Sequence, residues 1–104
     1  MITVIARFTF PHRIPIEKAR EAALSTASRY RGVPGLIRKY YTLAADGMSG
    51  GGIYLWKSSE DADRMYNDVW RAFVRARYGC EPTLTYLETP VVVDNVANAI
   101  LSDR

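Results

Sequence analysis

The chain has one cysteine and one histidine among its 104 residues. A lone Cys80 cannot form an internal disulfide, and a reducing, cytoplasmic setting is the expectation that follows. One imidazole and one thiol also argue against a dedicated zinc site within one chain, so no metal ligands are assigned. No apolar run approaches the length of about 18 residues that a membrane-spanning helix needs. Met1-Ile2-Thr3-Val4-Ile5 has no basic leader and Arg7 interrupts it early, so no secretory signal is expected. Repeats and low-complexity segments are missing. Charge of one sign is never concentrated. The net charge is +3, but Asp68 falls among Arg64, Arg71 and Arg75 at helical spacing, the mixture of a solvated face with local ion pairs. The basic stripe of a nucleic-acid binder is not there. Neither nucleic acid nor a membrane is expected as a partner.

What is present is an ordinary globule, 48% apolar and 24% charged, of a length that buries one core. Ile2–Phe10 is β-branched and aromatic without a breaker and reads as a strand ended by Pro11. Ile16, Ala19, Ala23, Ala27 and Tyr30 recur at three- and four-residue steps, one apolar helical stripe. Gly32-Val33-Pro34-Gly35 is a turn. Leu36–Ala44 and Gly51–Lys57 form a hairpin around Asp46–Gly50. Ser58 or Ser59 caps a second helix reaching about Tyr78, with Gly79 and Pro82 as stop signals. Thr83–Val93 is a fourth strand. The order β-α-β-β-α-β predicts a ferredoxin-like α+β fold: a four-stranded antiparallel sheet with two helices on one face. Residues 1–93 make the domain, and 94–104 are a C-terminal arm or short helix of it.

Gly51–Ser58, "GGIYLWKS", misses a phosphate-binding loop by one residue, because Trp56 stands where the second glycine belongs. A true loop wraps backbone N–H groups around phosphate between strand and helix. Here Ile53–Trp56 is itself strand, and the Lys-Ser pair marks a helix start. The leading glycines either serve a hairpin tip that needs positive φ, or leave space for a ligand or a neighbouring subunit.

Pro34–Tyr66, "PGLIRKYYTLAADGMSGGGIYLWKSSEDADRMY", resembles the YdhR-type mono-oxygenase family of the dimeric α+β barrel superfamily. The shared pattern is a Pro-Gly-Leu turn, a strand with Lys-x-aromatic, a Gly-rich hairpin, Gly-Gly-Ile-Tyr-Leu-aromatic and a capped helix. Tyr41 stands where members usually carry Trp, and Trp56 where they often carry Phe. Thr89–Asn95 is similar to the family's closing strand and tail. The resemblance implies a homodimer whose sheets pack into one barrel, with a pocket between helices and sheet in each subunit. It also implies oxygenase chemistry, as in relatives that oxidise quinols or anthrones with O₂ and neither metal nor flavin. Other relatives degrade haem, isomerise lactones or close polyketide rings.

Strand alternation puts Ile37, Lys39, Tyr41 and Leu43 on one face and Leu36, Arg38, Tyr40 and Thr42 on the other. A lysine between Ile37 and Tyr41 in an apolar setting has a lowered pKa and can move a proton or hold a phenolate. The other reading is a chain that snorkels to solvent. Tyr41, Tyr54 and Trp56 are candidates for an aromatic-binding pocket, or else core and interface packing. His12 titrates near neutrality when unperturbed and is a second candidate base, unless it is simply a solvated loop residue. Asn67 and Trp70 share a helix face, and cofactor-free relatives place Asn and Trp around their substrate; the competing reading of Trp70 is core. No His follows Trp70, unlike the Asn-Trp-His set of haem-degrading relatives, so haem is not expected. Cys80 reads as incidental. Arg7 either reaches a carboxylate ligand or pairs with Glu across the sheet.

Together these give an expected enzyme: a mono-oxygenase without cofactor, acting on a small aromatic or quinol-like compound, with Lys39 or His12 as base and Tyr41, Tyr54, Trp56, Asn67 and Trp70 around the substrate. An isomerase or cyclase on the same fold, and a non-catalytic binding dimer, are the alternatives.

Overall fold

A computed structural model describes residues 1–103. Its elements are β1 (Ile2–Thr9), α1 (Ile16–Ala27), a 3₁₀ turn (Ser28–Tyr30), β2 (Leu36–Leu43), β3 (Ser49–Trp56), α2 (Ser59–Met65), α3 (Asp68–Tyr78), β4 (Thr83–Glu88), β5 (Val91–Asp94) and β6 (Ala99–Ser102). The main sheet is antiparallel in the order β2-β3-β1-β4, with β5 and β6 a separate hairpin. This is the ferredoxin-like arrangement, with the helices on one face.

Alternation decides the faces. On β1, Ile2, Val4, Ala6 and Phe8 are buried while Arg7 and Thr9 are exposed. Register then fixes the rows beneath the helices. Lys39, Tyr54, Val4 and Tyr86 lie side by side, and so do Tyr41, Gly52, Ala6 and Leu84. Against these rows pack Ala62, Tyr66, Trp70 and Val74 of the helical layer. Trp56 is fully buried, and its indole N–H donates to the Tyr66 hydroxyl at 3.1 Å. Removing such a ring costs about 3–5 kcal/mol. Strict alternation would send Leu36 outward with Arg38. A register shift between them turns Leu36 to Trp56 and into the core instead.

The second helix is two. Tyr66 leaves helical geometry, and Asn67 restarts it by accepting the Trp70 N–H at 2.9 Å. Asn followed by Asp68 is a helix-start signal inside the apolar stripe. The fourth strand also stops early, at Glu88, because Pro90 has no N–H to continue the ladder. Where the sequence suggests an arm or a short helix, residues 91–102 form the β5–β6 hairpin. Buried Asp94 ties it down, pairing with Arg38 and accepting the Val96 and Ala97 N–H groups.

The other sheet face has no helix. A row of Tyr40, Ile53, Ile5 and Thr85 crosses it, beside a row of Arg38, Leu55, Thr3 and Leu87. Arg7 lies on this face opposite Gly51 and Thr83, not opposite a glutamate, and donates to the Ser49 hydroxyl at 3.4 Å. No helix among the described residues is long and apolar enough to cross a membrane.

Candidate active site

Lys39 points from β2 under the helices, beside Tyr54 of β3. Tyr30, in the turn after α1, closes over it. The amine nitrogen lies 3.3 Å from the centre of the Tyr30 ring, 4.0 Å from Tyr41 and 4.7 Å from Tyr54. Gly52 makes the room. A methyl group there would sit 2.9 Å from the Tyr54 ring and 3.3 Å from Lys39 Cε. Its neighbour Gly51 has a different task. It adopts φ +154°, and a side chain would run into the Ala6 carbonyl of β1. Positive φ is thus needed at Gly51, within β3 and not at the hairpin tip, and the space at Gly52 is taken by Tyr54 and Lys39 of the same chain, not by a ligand or a neighbouring subunit.

The amine has no hydrogen-bond or ion-pair partner among the described residues. Burial favours the neutral form; the ring faces favour the ammonium. Burial lowers the pKa from 10.5 to about 7. Tyr41 and Tyr54 move the other way. Burial raises Tyr41, partly offset by its hydrogen bond with Thr26 at 2.9 Å. Burial, with the crowding of Tyr30 and Tyr66, pushes the Tyr54 phenol well above its ordinary value. At neutral pH Tyr41 and Tyr54 are therefore neutral phenols beside an amine that can give and take a proton.

Beside Lys39 lies a space of about 20 Å³, bounded also by Tyr30, Tyr41, Tyr54, Trp70 and Tyr78. That is room for one water or a diatomic molecule. Phe8, Tyr41, Gly51 and Tyr78 are walls both of this space and of a cavity of about 690 Å³. The larger cavity separates α1 from β1 and β2. Its cause is legible in the helix: α1 turns Ala19, Ala22 and Ala23 to the sheet, where larger side chains would fill the gap. Ile16 and Leu24, at 53% and 69% exposure, edge the opening.

The structure brings Lys39, Tyr41, Tyr54 and Trp70 together. The Trp70 indole N–H donates to the Tyr30 hydroxyl at 3.4 Å, and these two rings divide the Lys39 space from a third cavity of about 320 Å³. Asn67 lines that third cavity, its side chain occupied in capping α3 and donating to the Arg64 carbonyl. Trp56 lines none of the three cavities. His12 is exposed in the loop after β1, whose next residues, Arg13 and Ile14, enter the large cavity's wall. Tyr30, Thr26 and Tyr78 escaped the sequence reading of the site. Tyr30 ends the α1 stripe, and an aromatic at that position was the available signal. Among the described residues no group of three His, Cys, Asp or Glu comes together.

Residues 5–79 match the family described as "Putative mono-oxygenase ydhR". That is most of the chain, and the protein belongs to this family. No curated protein matches it at a significant level. Among solved structures it is similar to a monooxygenase from the gene ActVA-Orf6 of Streptomyces coelicolor, in complex with the ligand nanaomycin D. The TM-score is 0.65, with 18% identity over 85% of this chain and 86% of that one. It is also similar to Rv0793 of Mycobacterium tuberculosis, with a TM-score of 0.58 and 22% identity over 85% and 93% of the two chains. At these identities the likeness is one of fold.

Proposed function

We propose that the protein is a mono-oxygenase that uses O₂ without metal or organic cofactor, on a small aromatic, quinol- or anthrone-like compound held in the large cavity. The observation that carries this reading is the Lys39 amine, its pKa lowered to about 7 inside three tyrosine rings and next to that cavity. Family membership and the ligand bound by the ActVA-Orf6 monooxygenase support it.

For an anthrone-like substrate, neutral Lys39 takes a proton from the enol tautomer, directly or through one water in the space beside it. The resulting anion gives one electron to O₂. The superoxide and carbon radical combine into a C–O bond, and a proton makes the hydroperoxide. Loss of water leaves a carbonyl where a CH₂ stood. One oxygen atom is retained and the other leaves as water, so the substrate supplies all four electrons. The aromatic walls limit water at the anion. Tyr41, Tyr54 and Trp70 bound the reacting end. His12, on the loop that leads into the cavity wall, is the alternative base, and Asn67 and Trp56 support the surrounding helix and sheet.

The test is O₂ uptake by metal-stripped protein over a panel of anthrones, hydroquinones and polyphenols. Uptake above autoxidation that Lys39→Met abolishes supports the proposal. Turnover that survives both Lys39→Met and His12→Ala removes the assigned bases. Product formed without O₂ consumption makes the protein an isomerase or cyclase, and a ligand released unchanged makes it a binding protein.

A further inference from the structure

The wall of the large cavity has charge of only one sign. Arg13, Lys18, Arg20 and Arg77 contribute to it, and no aspartate or glutamate does. Two of these cations have other partners. Lys18 lies 4.0 Å from Glu21, and Arg77 donates to the Ser25 hydroxyl at 2.6 Å and the Ala22 carbonyl at 3.2 Å, fastening α3 to α1. The side chains of Arg13 and Arg20 make no ion pair or hydrogen bond among the described residues. They approach from different elements, Arg13 from the loop after β1 and Arg20 from α1. The Arg13 stem also packs close to Gly47, where a methyl group would sit 2.9 Å from Arg13 Cγ.

We infer that the substrate carries a carboxylate and that Arg13 and Arg20 hold it, leaving the aromatic body on the apolar wall toward Tyr41. The inference rests on reading this cavity as the substrate site and narrows the substrate to aromatic acids. A cavity of about 690 Å³ suits a compound of two or three fused rings, within the range of about 300–1,000 Å³ usual for small-molecule sites. Its rings need apolar surface, which Phe8, Phe10 and Leu43 supply on the sheet side. An arginine fork matches a carboxylate with two parallel hydrogen bonds, a geometry that lysine lacks. With no acid in the wall, nothing within the cavity competes for the forks. The anchor also has a chemical use: a compound held by its acid group at the mouth presents one end of its ring system to the Lys39 side.

The experiment compares 1,4-dihydroxy-2-naphthoate with 1,4-dihydroxynaphthalene, identical rings with and without the carboxylate. Binding is measured by titration calorimetry without oxygen, so that no turnover intervenes. The expected result is at least about tenfold tighter binding of the acid at low salt, a preference that shrinks between about 0.05 and 0.5 M salt as the charges are screened. Arg13→Gln/Arg20→Gln should bring the acid to the affinity of the diol, with circular dichroism confirming the fold. Equal binding of the two compounds overturns the inference and leaves the aromatic site standing. A preference for the acid that survives the double substitution places the carboxylate elsewhere and also overturns it. If neither compound binds, the cavity is not an aromatic site, and the proposed function falls with the inference.

Discussion

The Lys39 amine lies 3.3 Å from the centre of the Tyr30 ring, nearer than it comes to Tyr41 or Tyr54 of its own sheet. Tyr30 belongs to the turn after α1, and Lys39 to the strand that follows. Docking α1 on the sheet is therefore what encloses the amine. The same docking, through the alanine face of α1, leaves the large cavity open beside it. One packing event both encloses the amine and opens the space beside it.

Lys39→Met should lower turnover by about a hundredfold or more, the usual worth of a positioned base. Methionine keeps the length and apolar stem, so substrate affinity should change little. In the wild type, turnover should rise with pH and level off above about 7, because the proposed base takes a proton only once it is itself deprotonated. Initial rates from pH 5 to pH 10 check this. A rate still climbing at the ordinary lysine pKa would show that the buried amine is not the base.

The same group makes stability depend on pH, in a direction that can be worked out. The folded-state pKa is depressed to about 7 from 10.5. Below both values the chain is protonated folded or unfolded, and the full cost of burying the charge weighs on the fold. Between them the unfolded chain binds the extra proton, so stability rises with pH through this window. Lys39→Met removes the term. The variant should melt above the wild type at pH 6, and the gap should close toward pH 10. Paired melting curves at those pH values decide it.

The strand and helix order was readable because period-two and helical patterns persist over Ile2–Phe10, Ile16–Tyr30 and the Gly51–Trp56 strand. Lys39 stood out for a local reason, a charge between two apolar neighbours on one face. The cage was not readable. Nothing in the spacing of Tyr30 and Lys39 says that a turn will fold back over the strand, and a bulge at Leu36–Arg38 changes the alternation just before the lysine. Trp56 and Tyr54 share a face and a sequence pattern, yet the Tyr66 hydroxyl anchors one in the core while the other borders the amine. Asn67 carried its signal openly: an N-cap residue before Asp68 announces a helix start, and a long apolar stripe hid it. The closing hairpin depends on Asn98 in the left-handed region at φ 53° and on the Asp94 turn, features that read as an irregular tail in one dimension.

Adjacent glycines should respond differently to the same change. Gly51→Ala meets the Ala6 backbone at a φ that favours glycine, neither of which can yield cheaply. A loss of about 2–4 kcal/mol is expected, lowering the melting temperature by many degrees. Gly52→Ala meets the Tyr54 ring and the Lys39 stem, both side chains that can shift. It should cost less stability but displace the amine, so its signature is a changed pH–rate profile in a folded protein.

Arg38→Ala should loosen the closing hairpin. It leaves the Asp94 carboxylate buried with only backbone N–H partners. The side chain of Arg38 is 39% exposed, so water replaces part of what is lost. A cost of about 1–3 kcal/mol is expected for the unsatisfied group. Limited proteolysis should then cut between Asn95 and Asn98 faster than in the wild type, while aromatic binding in the cavity under α1 should be unchanged.

The helix-free sheet face argues for a homodimer. Tyr40 and Leu87 are 54% and 46% exposed on it, and Val93 and Ile100 of the hairpin are 65% and 74% exposed. A stable interface of ordinary size buries about 800 Å² per partner, and an antiparallel sheet face of this kind can supply it. Sedimentation at micromolar concentration should give twice the chain mass. Leu87→Glu and Tyr40→Glu place charges on the open face without touching the core beneath the helices, so they should give folded monomers. The experiment also tests whether the site depends on assembly. Lys39, Tyr30 and the alanines of α1 all lie on the helix side of the sheet, away from the proposed interface. A monomeric variant should therefore still bind an aromatic ligand, and any loss of turnover in it would measure how far the second sheet steadies β2 beneath Lys39. A wild-type protein that sediments as a stable monomer would leave that face to water and count against the barrel.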